Sequence, residues 1–254
     1  MKSPVKENIN NFRCGRVLQE LIPKGSVVDS YLLFGGQEEL NLAERERFVI
    51  AHTTQYIIYE FWDCALSDPH RIVKIANDLY PKIQNVNMFA ALQESWTSYS
   101  DPYLRATLFF LLNKCSSTGL ISCGELDEKN WNPISLSHLK KFKIDNFHLA
   151  LDEGSNFIDS VKANEKGDYL LLPVGKFNYN LFEYGKSKGY EMTTIYHQRL
   201  YDTLKTINNK WILMYKYHSR VSTIYKGQNI IMVDKYGRET KQKDACEDLV
   251  IANF

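Results

Sequence analysis

Apolar residues fall along this chain in two kinds of run. Positions 26–34, Ser-Val-Val-Asp-Ser-Tyr-Leu-Leu-Phe, are nearly continuous and close on Gly35-Gly36, the pattern of a buried strand that hands over to a helix. Phe48, Val49, Ile50 and Ala51 make a second short run before His52. Thr53 and Thr54 then read as helix caps ahead of Tyr56, Ile57, Ile58, Tyr59, Phe61 and Trp62. Strand, glycine turn, helix, strand, helix is how a parallel α/β sheet begins.

The middle changes period. Ser67-Asp68-Pro69 and Asp101-Pro102 each place a capping side chain before a proline, and Leu104, Leu108, Leu111 and Leu112 then recur on one helical face. The pattern predicts a helical block over 67–115, an irregular segment over 116–136 and a short basic helix over 135–142. Strands return at 168–172, ending at Pro173, and at 211–215, with an amphipathic helix over 193–207 between them and a short helix over 218–225 after them. Residues 230–233 and 249–254 read as a terminal antiparallel pair. The expected architecture is an α/β domain over 1–62 and 160–254, interrupted by a helical insertion over 63–159. Such a sheet binds ligands beyond the carboxyl ends of its strands, here Phe34-Gly35-Gly36, Ala51-His52 and Pro173-Val174-Gly175-Lys176.

Composition narrows this without redirecting it. The chain has 254 residues, 44% hydrophobic and 24% charged, which excludes a disordered tail or a fibre and allows a full core. No run approaches the roughly 20 apolar residues of a membrane helix, and the first fifteen residues are polar, so a cytoplasmic protein is expected. Cys14, Cys64, Cys115, Cys123 and Cys246 include no CxxC pair, which points to buried or incidental thiols rather than a zinc site. A formal net charge of +1 argues against a protein that coats nucleic acid, while a local basic groove stays open. Taken alone, Gly35-Gly36 reads as a tight turn, His52 as a core or capping histidine, and Glu38-Glu39 as helix-start charges favoured by the dipole.

Asp29 to Gly36, Arg105 to Lys114 with Gly119-Leu120, and Glu247 to Phe254 together resemble segments of the Dam-like adenine-specific DNA methyltransferases. Phe12-Arg13-Cys14-Gly15-Arg16 stands where that family has Trp/Tyr-x-Gly-Gly-Lys, and Asp29 to Gly36 is similar to a decayed Glu-Pro-Phe-x-Gly-Gly-Gly motif. Arg105-Ala106-Thr107-Leu108-Phe109-Phe110-Leu111-Leu112-Asn113-Lys114, with Gly119-Leu120, resembles the helix of the family's DNA-recognition insertion. The close, Glu247-Asp248-Leu249-Val250-Ile251-Ala252-Asn253-Phe254, resembles its Glu-Leu-Leu-Ile-x-Asn-Tyr ending. The resemblance implies a Rossmann-like S-adenosylmethionine-dependent methyltransferase sheet with a helical recognition insertion and a C-terminal antiparallel hairpin.

At the positions that carry chemistry the chain departs from the family. Where the family runs into Asp-Pro-Pro-Tyr, this chain has Pro173-Val174-Gly175-Lys176, with no acceptor for the adenine amine and a cation in place of the stacking ring. Phe177 or Tyr179 could supply a displaced stack. Ala51-His52 replaces Asn-Asp, and Phe34 either blocks the cofactor's approach or, with a one-residue gap, sits harmlessly beside the glycines. Thr118 and Ser122 replace an Asn and an Arg of the recognition segment. The resemblance thus implies a catalytically inactive homologue, a pseudoenzyme with no cofactor expected. Gly35, Gly36 and His52 would be vestigial cofactor positions, and Arg105, Asn113, Lys114, Lys140, Lys141 and Lys143 would be nucleic-acid-binding, with Arg105, Lys114 and the three later lysines on phosphates. The expected partner is DNA, another protein or a second copy of the chain. The alternative is an active enzyme that transfers a methyl group from S-adenosylmethionine to adenine in DNA.

Overall fold

A computed structural model of the chain describes residues 1–7, 11–119, 121, 124–127, 129, 131–153, 157–163, 167–177 and 195–254. Leu120, Ser122, Cys123, Tyr179 and the start of the helix expected over 193–207 lie outside the described residues.

The described strands form one mixed sheet: β1 Val27–Ser30, β2 Phe48–Thr53, β3 Phe147–Leu151, β4 Tyr169–Gly175, β5 Lys210–Lys216, β6 Asn229–Asp234 and β7 Cys246–Ala252. Their order is β3-β2-β1-β4-β5-β7-β6. Strands β3, β2, β1, β4 and β5 are parallel, and β7 runs antiparallel to both β5 and β6. Chain order reverses between β1 and β4, so the switch point of this Rossmann-like sheet lies beyond Ser30 and the end of β4.

The helices are α1 Gly15–Leu21, α2 Gln37–Ala43, α3 Tyr56–Ser67, α4 Pro69–Ile83, α5 Val86–Ser95, α6 Pro102–Cys115, α7 Pro133–Lys140, α8 Phe157–Ala163, α9 His197–Leu204 and α10 Ser219–Ile224. The two Asp-Pro starts behave as expected. The Asp68 carboxylate accepts from the N–H of Arg71, and that of Asp101 accepts from Tyr103 and Leu104, while each proline sits where no N–H is needed. Helix α6 packs on α3 and α4 through a fully buried stripe in which Phe109 stacks on Phe61 at 4.6 Å and meets Trp96 edge-on at 6.0 Å.

Four expectations are corrected. The first strand is shorter than 26–34, because Leu32 takes a left-handed φ of 69° and turns the chain off the sheet. Pro173 does not end its strand. Pairing with β1 stops at Leu171, so no β1 carbonyl waits for the N–H that proline lacks, and β4 continues to Gly175 with a register shift against β5. The stretch 63–159 is not wholly helical, since β3 pairs with β2 at the sheet edge. Thr53 and Thr54 do not cap α3: Gln55 holds that position, and the Thr53 hydroxyl accepts from its N–H at 3.1 Å.

Cys14, Cys64, Cys115 and Cys246 are free and buried, and burial pushes the thiols of Cys64 and Cys115 up to about 12. No helix among the described residues is long and apolar enough to cross a membrane.

Candidate functional site

The switch point is closed by its own surroundings. After β1 the chain curls through Leu32, Leu33 and Phe34 to Gly35-Gly36, the entry to α2. Gly36 caps α2 at φ +64°, where a Cβ would stand 2.9 Å from the Trp62 ring. The Trp62 indole N–H donates to the carbonyl of Phe34 at 2.9 Å. Over Gly35 lies the amino-terminal segment. The Ser3 hydroxyl donates to the Gly35 carbonyl, and a Cβ on Gly35 would meet the Glu7 carboxylate at 2.0 Å. Gly36 is thus required by its left-handed φ and by the Trp62 ring, while a side chain on Gly35 would have to displace the Glu7 side chain. What remains between Glu7, Phe12, Leu32, Phe34, Glu38 and Pro173 is a cavity of about 20 Å³. That is room for about one water, against the roughly 300–1,000 Å³ of a small-molecule pocket.

Two carboxylates back this cavity. Glu38 and Glu39, in the first turn of α2, are both buried rather than solvated. Glu39 accepts from the Ser30 hydroxyl at 2.9 Å, and burial raises its pKa. Burial likewise raises Glu38 to about 7, against the Asn41 amide that hydrogen-bonds it.

Next to the switch point His52 ends β2 between two aspartates. Its Nε2 lies 3.1 Å from Asp29 Oδ1 on β1 and its Nδ1 2.9 Å from Asp152 Oδ1 beyond β3, while its ring stacks on Tyr31 at 4.4 Å. Burial pulls the imidazole pKa down, but hydrogen bonds and charge from Asp152 and Asp29 overcome this and raise it to about 9. At neutral pH the trio is an imidazolium between two carboxylates. The space beside it, lined by Tyr31, Thr53, Asp152 and Phe157, measures about 10 Å³. His52 is a core histidine. The carboxylates that its sequence neighbourhood lacks are supplied from β1 and from beyond β3, and His52 itself engages both.

The residues expected to contact phosphate fare unequally. Arg105 grips Glu60 with Nε at 2.7 Å and with a second nitrogen, and donates to the Tyr99 carbonyl, so its fork is engaged inside the helical block. Asn113 is fully buried: its amide oxygen accepts from Lys6 N–H at 2.7 Å, and its NH2 donates to Lys6 and Gly119 carbonyls at 2.9 and 2.7 Å. It pins the amino-terminal segment and the turn after α6 rather than offering a nucleic-acid contact. Lys114 lies over the Phe110 ring at 5.9 Å, and burial, then Lys2 and Lys6, lower its pKa to about 8. It faces a cleft of about 400 Å³ with Lys2, Lys6, Glu7 and Asn132. Lys140, Lys141 and Lys143 are exposed, as expected, but they lead into the amino end of β3, the edge of the sheet opposite the switch point.

Pro173, Val174 and Gly175 are buried in β4, Lys176 is exposed just beyond it, and Phe177 stacks between His197 and His218 at 4.3 and 4.6 Å. The ring that could have served as a displaced stack is already stacked on both sides. No family model and no curated protein matches the chain.

Proposed function

We propose that this chain is a catalytically inactive homologue of the Dam-like adenine-specific DNA methyltransferases that acts as a binding module, with nucleic acid as the partner its surface favours. The observation that carries the reading is the filled switch point. S-adenosylmethionine needs a pocket of several hundred Å³, and among the described residues about 20 Å³ is left between Phe34, Glu38 and Pro173, beside the separate cleft of about 400 Å³ that Gly35, Glu7, Lys6 and Lys114 line. The residues present do not fit the cofactor. The sheet supports the family part of the reading, because a parallel β3-β2-β1-β4-β5 half closed by an antiparallel β7 and its β6 hairpin is what the resemblance implies.

Pro173 supports the loss of transfer. It stands where the family's motif has the carboxylate that accepts the adenine amine, and of the acids that line the small cavity with it, Glu38 is hydrogen-bonded by Asn41 and Glu39 by Ser30. Calorimetric titration of purified protein with S-adenosylmethionine should show no binding up to millimolar ligand. Micromolar affinity, or tritium transfer from the labelled cofactor to DNA, would overturn the reading in favour of an active enzyme.

A further inference from the structure

We infer that a cleft walled by α1, α2 and the β6–β7 turn holds the phosphate backbone of single-stranded nucleic acid, with Arg13, Arg45 and Arg238 on phosphates and Tyr236 stacked on a base. The inference rests on the binding-module reading and places the contact away from the helix that resembles the family's recognition segment.

The cleft is open, about 670 Å³, and four of its side chains are arginines: Arg13, Arg16, Arg45 and Arg238. Arg16 pairs with Glu20 at 3.0 Å, while Arg13, Arg45 and Arg238 have no ion pair among the described residues. Of the nearby acids only Asp234, at the base of the β6–β7 turn, has a resolved charge interaction with one of these arginines, Arg238, among the described residues. Glu44 pairs with the Met1 ammonium, and Glu38 is buried and hydrogen-bonded by Asn41. Three forked cations thus face one polar cleft that also presents Gln19 and Asn41 amides. Guanidinium groups pair the oxygens of phosphates and carboxylates two at a time, so such a cluster is an oxyanion site, and the exposed ring of Tyr236 beside it is what favours a nucleic-acid backbone over an acidic protein.

The cleft is also built. Asp234 Oδ1 accepts from the N–H groups of Tyr236 and Arg238 at 2.8 and 2.9 Å, and Gly237 N–H donates to the Asp234 carbonyl at 2.9 Å. This fixes the turn. Gly237 has φ +77°, and a Cβ there would lie 2.8 Å from the Arg13 carbonyl, so the turn is laid directly on the Arg13 backbone. Arg13 is anchored in turn, its N–H donating to Asp248 on β7 at 2.7 Å. Because β6 runs parallel to β5, this turn stands at the carboxyl edge of the sheet, and the cleft shares Phe12 and Glu38 with the closed switch point.

Tyr236 is 71% exposed at the tip of this rigid turn. An aromatic ring held out beside an arginine cluster is how proteins stack an unpaired base while tracking its backbone.

The test is fluorescence anisotropy with a labelled 12-nucleotide single strand at about 20 mM salt, then across a salt series. The native protein should bind, and the triple variant Arg13→Gln, Arg45→Gln, Arg238→Gln should bind at least tenfold more weakly. Its log–log salt slope should be shallower by about 2, three contacts at roughly 0.7 each. Tyr236→Ala should weaken binding about fivefold or more with the slope unchanged, and Tyr236→Phe should restore it. Lys140→Ala, Lys141→Ala, Lys143→Ala serves as the control and should bind like the native chain, with melting temperatures verifying that each variant folds. Native binding untouched by the arginine variant but lost in the lysine variant would overturn the groove and leave the module reading standing. No native binding at low salt would overturn both. Displacement of the strand by an equal charge of poly-glutamate would reassign the cleft to an acidic protein.

Discussion

Replacing His52 with glutamine removes the imidazolium held between Asp29 and Asp152 beside the switch point. In the folded chain the His52 pKa is raised from 6.5 to about 9, burial opposing and Asp152 and Asp29 prevailing. A group raised in this way stabilises fully below the unfolded value, near pH 6.5, and that contribution disappears as pH climbs through about 9. At about 1.4 kcal/mol per pH unit of displacement, the trio adds roughly 3 kcal/mol. Glutamine can keep one hydrogen bond but carries no charge, so two carboxylates are left facing each other, with Asp29 Oδ2 and Asp152 Oδ2 already unpaired among the described atoms. His52→Gln should therefore lower stability by roughly 3 kcal/mol at pH 6, about 6–12 °C in melting temperature for a chain of this length. Urea denaturation of both proteins at pH 6, 7.5, 9 and 10 is the assay. The gap should narrow by most of its value between pH 6.5 and 10, because the native protein, and not the variant, releases this proton. A gap that is constant across that range, or absent at pH 6, would refute the ion-paired trio.

Two further outcomes follow from buried groups. Glu38, raised from 4.5 to about 7 chiefly by burial, disfavours the folded state increasingly between those values, so Glu38→Gln should gain roughly 2–3 kcal/mol at pH 8 and little at pH 4.5, read by paired thermal melts. Asn113→Ala strands the Lys6 N–H and the carbonyls of Lys6 and Gly119, so it should cost roughly 3 kcal/mol and speed hydrogen exchange at Lys6 more than at the centre of β4.

What could be read in advance divides by the range of the interaction. The Asp68-Pro69 and Asp101-Pro102 helix starts are local, settled within three residues, and they stand where the pattern put them. So do the core of β5, α10 and the terminal β6–β7 pair. Strand β3 carried a signal, Phe147, Leu149 and Leu151 alternating, but five residues beside a long helical block are a weak period-2 pattern. Pro173 misled for a different reason. Its cost depends on whether a neighbouring strand still needs its N–H, and that depends on where β1 stops.

The site itself was hidden by sequence separation. His52 meets Asp152 across 100 positions and Asp29 across 23, and Arg105 meets Glu60 across 45. Spacing along the chain contains none of these pairings. Arg105 shows the consequence for function, because a basic residue in a helix that resembles a recognition segment is as apt to be an internal clamp as a phosphate contact. Only the geometry around Glu60 separates the two.

The filled switch point is not a hydrophobic plug. Asp29, Glu38, Glu39 and Asp152 converge there with one imidazole, and an apolar filling of similar volume would avoid most of their desolvation cost. Stability alone therefore does not account for the residues at this end of the sheet. Their charge acts on the surface next to them. Glu38 is shared between the closed cavity and the arginine cleft, and near neutral pH it is close to half protonated. As pH falls below about 7 Glu38 takes up its proton, which removes one negative charge from the wall of the cleft, and the field there becomes more positive. In the Glu38→Gln protein that change is already complete at pH 8. If the cleft holds phosphate, this variant should bind the single strand at pH 8 as tightly as the native chain does at pH 6.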